Sequence, residues 1–128
     1  MRKTFALSTL SMAAAAAVAM TPSVASADAA RGKTLFMRCM ACHTVNKGGA
    51  NKVGPNLAGV VGRKSASVKG FNYSAAMKKA NLTWDQATLD KWLTRPATLV
   101  PGTSMVFAGL TNPDDRKSLI EYLKTAGK

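Results

Sequence analysis

An uncharged run rich in Ala and Leu extends from Phe5 to Met20, after Arg2 and Lys3 and ahead of Ala25-Ser26-Ala27. A positive start, a short apolar middle and a small-x-small exit form the pattern of a secretory leader. A bilayer-spanning helix wants about 20 mainly apolar residues. Phe5–Met20 is short for that, and Ser8, Thr9 and Ser11 dilute it. Residues 1–27 are therefore expected to be a cleaved signal peptide, residues 28–128 one domain, and the mature protein periplasmic. No later stretch of the sequence is long or apolar enough to cross a membrane.

Helical periodicity dominates the rest. From about Ala29 to Met40, Leu35 and Phe36 precede Cys39 by four and three residues and share one helical face. Asn72 to Lys79 predicts a short helix. Thr83-Trp84-Asp85-Gln86 reads as a capping-box start, and the helix it opens should stop before Pro96. Thr111-Asn112-Pro113-Asp114 predicts another start, with Asn112 as cap and Pro113 in the first turn. Leu119, Tyr122 and Leu123 then make an apolar face at i, i+3, i+4, expected to cross the first helix at Gly32 and Phe36. Between His43 and Gly70 lies a long turn-rich stretch. In so small a domain a loop of that length must pack on something.

Composition sharpens that expectation. The 101 residues after the leader hold 16 Lys/Arg and 6 Asp/Glu, a net charge of +10. A domain of this size is marginal on its own side chains, so a large buried cofactor would complete its core. The positive balance favours acidic partners, whether protein, nucleic acid or anionic lipid.

Chemistry enters at Cys39-Met40-Ala41-Cys42-His43, the chain's two cysteines and its one histidine. C-x-x-C-H is the spacing of c-type haem attachment. Two thiols separated by two residues reach the two vinyl groups on one porphyrin edge, and the following His aims a nitrogen at iron. The rivals fare worse. A thioredoxin-like pair would lie near a βαβ pattern, and no strand pattern is present. A zinc site needs more ligands than this chain offers. A structural disulfide leaves the adjacent His unexplained.

With the one His spent, a second imidazole cannot cap the iron, and the candidates for the sixth ligand are Met37, Met40, Met77 and Met105. Met37 and Met40 are too near His43 to wrap to the far face. Met77 sits in an Ala/Lys-rich helical stretch, where packing explains it. Met105, in the turn-rich Pro101-Gly102-Thr103-Ser104-Met105, is the choice. Met/His ligation raises the potential of a c-type haem, because soft thioether sulfur favours ferrous iron. Six-coordinate iron in both states suits electron transfer. An enzyme such as a peroxidase would need an open position and a spare acid/base, so the chain is not expected to be an enzyme.

These residues and their neighbours resemble the class I cytochromes c, close to mitochondrial and bacterial soluble forms. The match runs from about Gly32 to Lys124, through Gly32-x-x-x-Phe36, Cys39-x-x-Cys42-His43, Gly54-Pro55-Asn56-Leu57, Gly62-Arg63-Lys64, Leu82-Thr83-Trp84, Pro101-Gly102-Thr103-x-Met105 and Leu119-x-x-Tyr122-Leu123. The resemblance implies an all-α cytochrome c fold, four to five short helices around one haem c bound through Cys39 and Cys42. By that similarity the Pro55 carbonyl would accept the His43 N–H, a bond that orients a ligand. Tyr73 and Trp84 would donate to a buried haem propionate whose charge Arg63 offsets. Trp92 would stand beside the Met ligand, where the family commonly has Tyr, and Met77 would replace a common Asn.

The implied activity is diffusible one-electron transport from a cytochrome bc-type donor to a terminal oxidase or photosynthetic reaction centre. Partners would be complexes with acidic docking surfaces, with weak anionic membrane contact as an accompaniment. A monomer is expected, and nucleic acid is not a partner, since no aromatic residues interleave the basic ones. Ala97, Ser104, Thr111 and Asn112 stand where lysines often flank the Met side of the haem edge. Lys33, Arg38, Lys47 and Lys52 remain near the cysteine side, which implies a shifted footprint.

Overall fold

The computed structural model describes residues 12–21 and 23–128. The expected leader therefore falls partly outside the described residues, at positions 1–11 and 22. Among the described residues there are five helices: α1 Val24–Phe36, α2 Ala75–Ala80, α3 Gln86–Thr94, α4 Pro96–Leu99 and α5 Pro113–Thr125. Among the described residues, the only extended pairing is an isolated antiparallel bridge between Lys64 and Thr83. None of the described helices is long and apolar enough to cross a membrane.

Local chemistry sets the helix ends and corrects several sequence expectations. α1 begins before Ala29 because the Ser23 hydroxyl accepts from the Ser26 N–H, so it runs through the expected cleavage triplet. It ends at Phe36 instead of Met40, and single turns carry the chain on to the cysteines. α2 starts after Ser74, whose hydroxyl accepts from Met77 N–H, and stops where Asn81 turns left-handed at φ 48°. Thr83 does not cap α3. Its backbone is committed to the bridge with Lys64, and Asp85 caps instead by accepting from Thr88 N–H at 2.8 Å. Pro96 stops α3 at Thr94 and opens the unforeseen α4, since its fixed φ suits a first turn. Asn112 caps α5 as expected, accepting from Asp114 N–H at 2.8 Å.

The α1–α5 crossing organises the core. Gly32 packs so tightly that a Cβ there would overlap the Ser118 carbonyl and the Tyr122 Cβ. Phe36 and Tyr122 meet with ring centroids 5.5 Å apart. Leu119, Ile120 and Leu123 are buried on the same face of α5. Arg31–Asp115 at 2.5 Å and Lys117–Asp28 at 3.4 Å flank the crossing. Exposed pairs like these add little; the apolar contact holds the helices.

Candidate haem site

One turn beyond α1, the N–H groups of Cys42 and His43 both donate to the Cys39 carbonyl, at 3.0 and 2.9 Å. This tight turn brings both thiols and the imidazole to one cavity of about 230 Å3. The His43 Nδ1 lies 2.7 Å from the Pro55 carbonyl oxygen, which can only accept. That bond puts the ring proton on Nδ1 and leaves the Nε2 lone pair free. Burial holds the His43 pKa below the usual imidazole value; the Pro55 bond opposes this and the nearby Lys52 ammonium reinforces it. The ring is thus kept neutral, the form that binds metal. Gly54 makes the approach fit, because a Cβ there would overlap the imidazole. Burial also pushes the Cys39 thiol up, against the pull of Arg38.

Met105 reaches the same cavity from a loop anchored at both ends. Thr103 N–H donates to the Val100 carbonyl at 3.0 Å, and Met105 N–H donates to Thr103 Oγ1 at 3.2 Å. On the return, Leu110 N–H donates to the Leu93 carbonyl at 2.8 Å. Arg116 locks that return by donating to Asp90 Oδ1 at 2.7 Å and to the Leu110 and Thr111 carbonyls at 2.9 and 3.0 Å.

Arg63 marks a polar region of the cavity. Around the bridge, Trp84 N–H donates to the Arg63 carbonyl and Gly62 N–H to the Trp84 carbonyl, each at 2.8 Å, which sets Trp84 beside Arg63. The Arg63 guanidinium donates to the Ala58 and Asn56 carbonyls at 3.0 and 3.2 Å. Its buried Nε has no partner among the described residues. Burial lowers the Arg63 pKa, and Tyr73 opposes the shift. The Tyr73 hydroxyl accepts from Val68 N–H at 3.1 Å, leaving its own proton to donate.

Much of the remaining wall is apolar. Trp84 and Trp92 pack with centroids 5.3 Å apart, and Leu89 and Leu93 join Trp92 on the buried face of α3. All nine residues expected at the site, Cys39, Cys42, His43, Pro55, Arg63, Tyr73, Trp84, Trp92 and Met105, line this one cavity. Met77, read from sequence as packing, is buried and lines it too. Leu89, Leu93 and Phe107 were not anticipated as lining. The i, i+3, i+4 spacing of Leu89, Trp92 and Leu93 was the available signal for the first two.

The residues present fit a haem. A buried donor without a partner calls for an acceptor, and Arg63, which carries that donor, lines a cavity whose walls are otherwise mostly apolar, as a porphyrin bearing carboxylates requires. Two thiols and a neutral imidazole supply the attachment chemistry.

Comparison with known proteins agrees. The family model described as Cytochrome c matches residues 29–127. The chain is 57% identical over 99 residues to cytochrome c2 iso-2 of Magnetospirillum molischianum, covering 77% of this chain and 98% of that protein. It is 47% identical over 116 residues to cytochrome c2 of Rhodomicrobium vannielii, covering 91% and 93%. Among solved structures it is similar to cytochrome cH from Methylobacterium extorquens, with a TM-score of 0.72 and 49% identity over 77% of this chain and 98% of that one. The chain belongs to the cytochrome c family: it is a class I c-type cytochrome, an electron carrier and not an enzyme, with one haem c bound covalently through Cys39 and Cys42.

Proposed function

We propose that His43 and Met105 ligate the iron, and that the protein shuttles single electrons in the periplasm. Its donor is a cytochrome bc-type complex, and its acceptor a terminal oxidase or photosynthetic reaction centre. The observation that carries this reading is the convergence of a neutral, oriented imidazole and a loop-held thioether on one cavity. When bound, the haem supplies a one-electron couple. The residues around it keep coordination constant, exclude water and hold donors toward the buried carboxylate.

Arg63, Tyr73 and Trp84 serve that carboxylate, since an unpaired buried charge is costly. Trp92 fills the space beside Met105 without a phenol's hydrogen bond to sulfur. Export removes residues 1–27, which takes away the Ser23 cap and leaves Asp28 at the start of α1, where a carboxylate suits the positive helix end. The cytochrome c2 names of bacterial relatives support a periplasmic carrier. The mature protein works as a monomer, with at most weak contact to anionic membranes.

An absorption spectrum of the exported protein tests the ligands. Low-spin c-type bands and the weak red band of ferric iron on thioether sulfur are expected. Met105→Ala should abolish the red band while haem stays attached. Persistence of the band in that variant, with its loss in Met77→Leu, would overturn the assignment. N-terminal sequencing should begin at Asp28.

A further inference from the structure

The methionines of this chain stand in sharply different settings. Met1, Met12 and Met20 lie in the expected leader, which leaves Met37, Met40, Met77 and Met105 in the domain. Two of these line the haem cavity, Met77 at 7% exposure and Met105 half-buried. The other two stand on the surface, Met37 at 67% and Met40 at 55% exposure. The sulfurs of Cys39 and Cys42 become thioethers once haem is attached, and both residues are part-buried. Met37 and Met40 are therefore the sulfurs most open to solvent.

Their backbone is fixed while their side chains stay out. Met37 caps the end of α1, where its N–H donates to the Thr34 carbonyl at 3.2 Å. Three residues on, Met40 sits between the two cysteines, and the Lys52 ammonium donates to its carbonyl at 2.6 Å. Both side chains border a groove of about 440 Å3 behind the attachment turn, together with Phe36, Val45 and Tyr122. Burial would stabilise apolar side chains, so packing gives no reason to leave two thioethers outside. Reactivity gives one. An exposed thioether is open to oxidation to its sulfoxide, whereas a buried one is shielded.

Met105 is the sulfur whose oxidation would matter most. It lies between an exposed Ser104 and a fully exposed Val106, and a sulfoxide is no longer the soft donor that favours ferrous iron. We propose that Met37 and Met40 are sites of sulfoxide formation that consume two-electron oxidants of the hypochlorous acid type before Met105 is reached. The sulfur lone pair attacks chlorine, the O–Cl bond breaks and hydroxide leaves. Water then adds to sulfur, chloride departs and two protons are lost, one of them neutralised by the hydroxide. Sulfur gives up two electrons and chlorine takes them. Thiol-dependent reductases return the sulfoxide to thioether, so the guard is renewable. The protective role rests on the reading of Met105 as iron ligand; the two modification sites do not.

The test treats the ferric holoprotein with one equivalent of hypochlorous acid and stops the reaction with free methionine. Peptide mass mapping locates each added oxygen, and the red sulfur band of ferric iron reports the bond to Met105. Wild type is compared with Met37→Leu combined with Met40→Leu, because leucine keeps the apolar volume without the sulfur. Met40 lies inside the attachment turn, so Met37→Leu alone serves as a second variant whose haem attachment is not at stake.

In wild type the added oxygen should lie on Met37 and Met40, with Met77 and Met105 unmodified and the red band kept. The double variant should lose about threefold more of the band, since the oxidant then reaches Met105, and Met37→Leu an intermediate amount. Equal band loss in all three proteins, or oxygen on Met105 ahead of Met37 and Met40 in wild type, would overturn the guard. Chlorination of the Lys33 and Lys52 amines in place of sulfur oxidation would overturn the modification sites. Oxygen that persists on Met37 and Met40 after treatment with a methionine sulfoxide reductase and dithiothreitol would overturn renewal. A red band missing before any treatment would remove the Met105 ligand reading, and the protective role with it, while the mass map would still decide the two sites.

Discussion

The His43 Nδ1 and the Pro55 carbonyl oxygen lie 2.7 Å apart across twelve residues of sequence. The turn that closes this distance is pinned by Gly54, whose N–H donates to the Cys42 carbonyl at 2.7 Å. A ligand held at its second nitrogen keeps its ring plane and basicity. Adding a methyl at Gly54 would press on the ring itself. Gly54→Ala should lower stability by about 1–3 kcal/mol, the usual cost of overpacking, and weaken the low-spin spectrum. Pro55→Ala keeps the carbonyl and should leave the spectrum unchanged. Denaturant titration alongside visible spectroscopy checks both.

Arg63 joins structure to potential. Two of its nitrogens hold the Asn56 and Ala58 carbonyls, and the third has no partner among the described residues. Arg63→Gln removes a positive charge beside the cavity, so ferric iron becomes easier to form and the midpoint potential should fall. Leaving these part-buried carbonyls unpaired should also cost about 1 kcal/mol. Voltammetry and chemical unfolding measure the two effects separately. An unchanged or higher potential would place the charge away from the cofactor.

Arg116 lies far from the cysteines in sequence yet governs the Met105 loop. Its three bonds join Asp90 on α3 to the Leu110 and Thr111 carbonyls at the loop's return. Arg116→Ala should destabilise the protein by about 1–3 kcal/mol, as unmade hydrogen bonds to a charged group do. It should also lower the temperature at which the red sulfur band disappears, more than it lowers that of global unfolding. Parallel loss of both signals would mean the clamp supports only the fold.

Asp85 gives a pH signature. The Thr88 backbone N–H, then the Thr88 hydroxyl, hold its carboxyl below the usual 3.8. The folded state therefore binds fewer protons than the unfolded one near this pH. Its contribution is complete above about 3.8 and fades as pH falls through the lowered folded value. Asp85→Asn keeps an acceptor for the cap but cannot titrate. The variant should show a shallower loss of stability than wild type from about pH 4 to about pH 2, followed by thermal melts. Identical slopes would assign the acid sensitivity to other carboxylates.

Features that depend on near neighbours were readable before any coordinates. Cys39, Cys42 and His43 act together because five consecutive residues in one turn bring them to one side. Asn112 and Pro113 mark a helix start through bonds that span two or three residues. Gly32, Phe36, Leu119, Tyr122 and Leu123 advertised the α1–α5 crossing through helical spacing. Thr83 misled because the Lys64 bridge, which no local pattern announces, claims its backbone and passes the cap to Asp85.

The sequence by itself determined the attachment chemistry, the helical class and the positive charge, all properties of residue type and short spacing. Only the tertiary structure decided that Arg63 keeps a buried nitrogen without a partner among the described residues, that Met77 lines the cavity and that Arg116 clamps the Met105 loop. Those outcomes depend on which distant groups compete for the same carbonyls, carboxylates and space. That competition is settled by packing the whole chain at once.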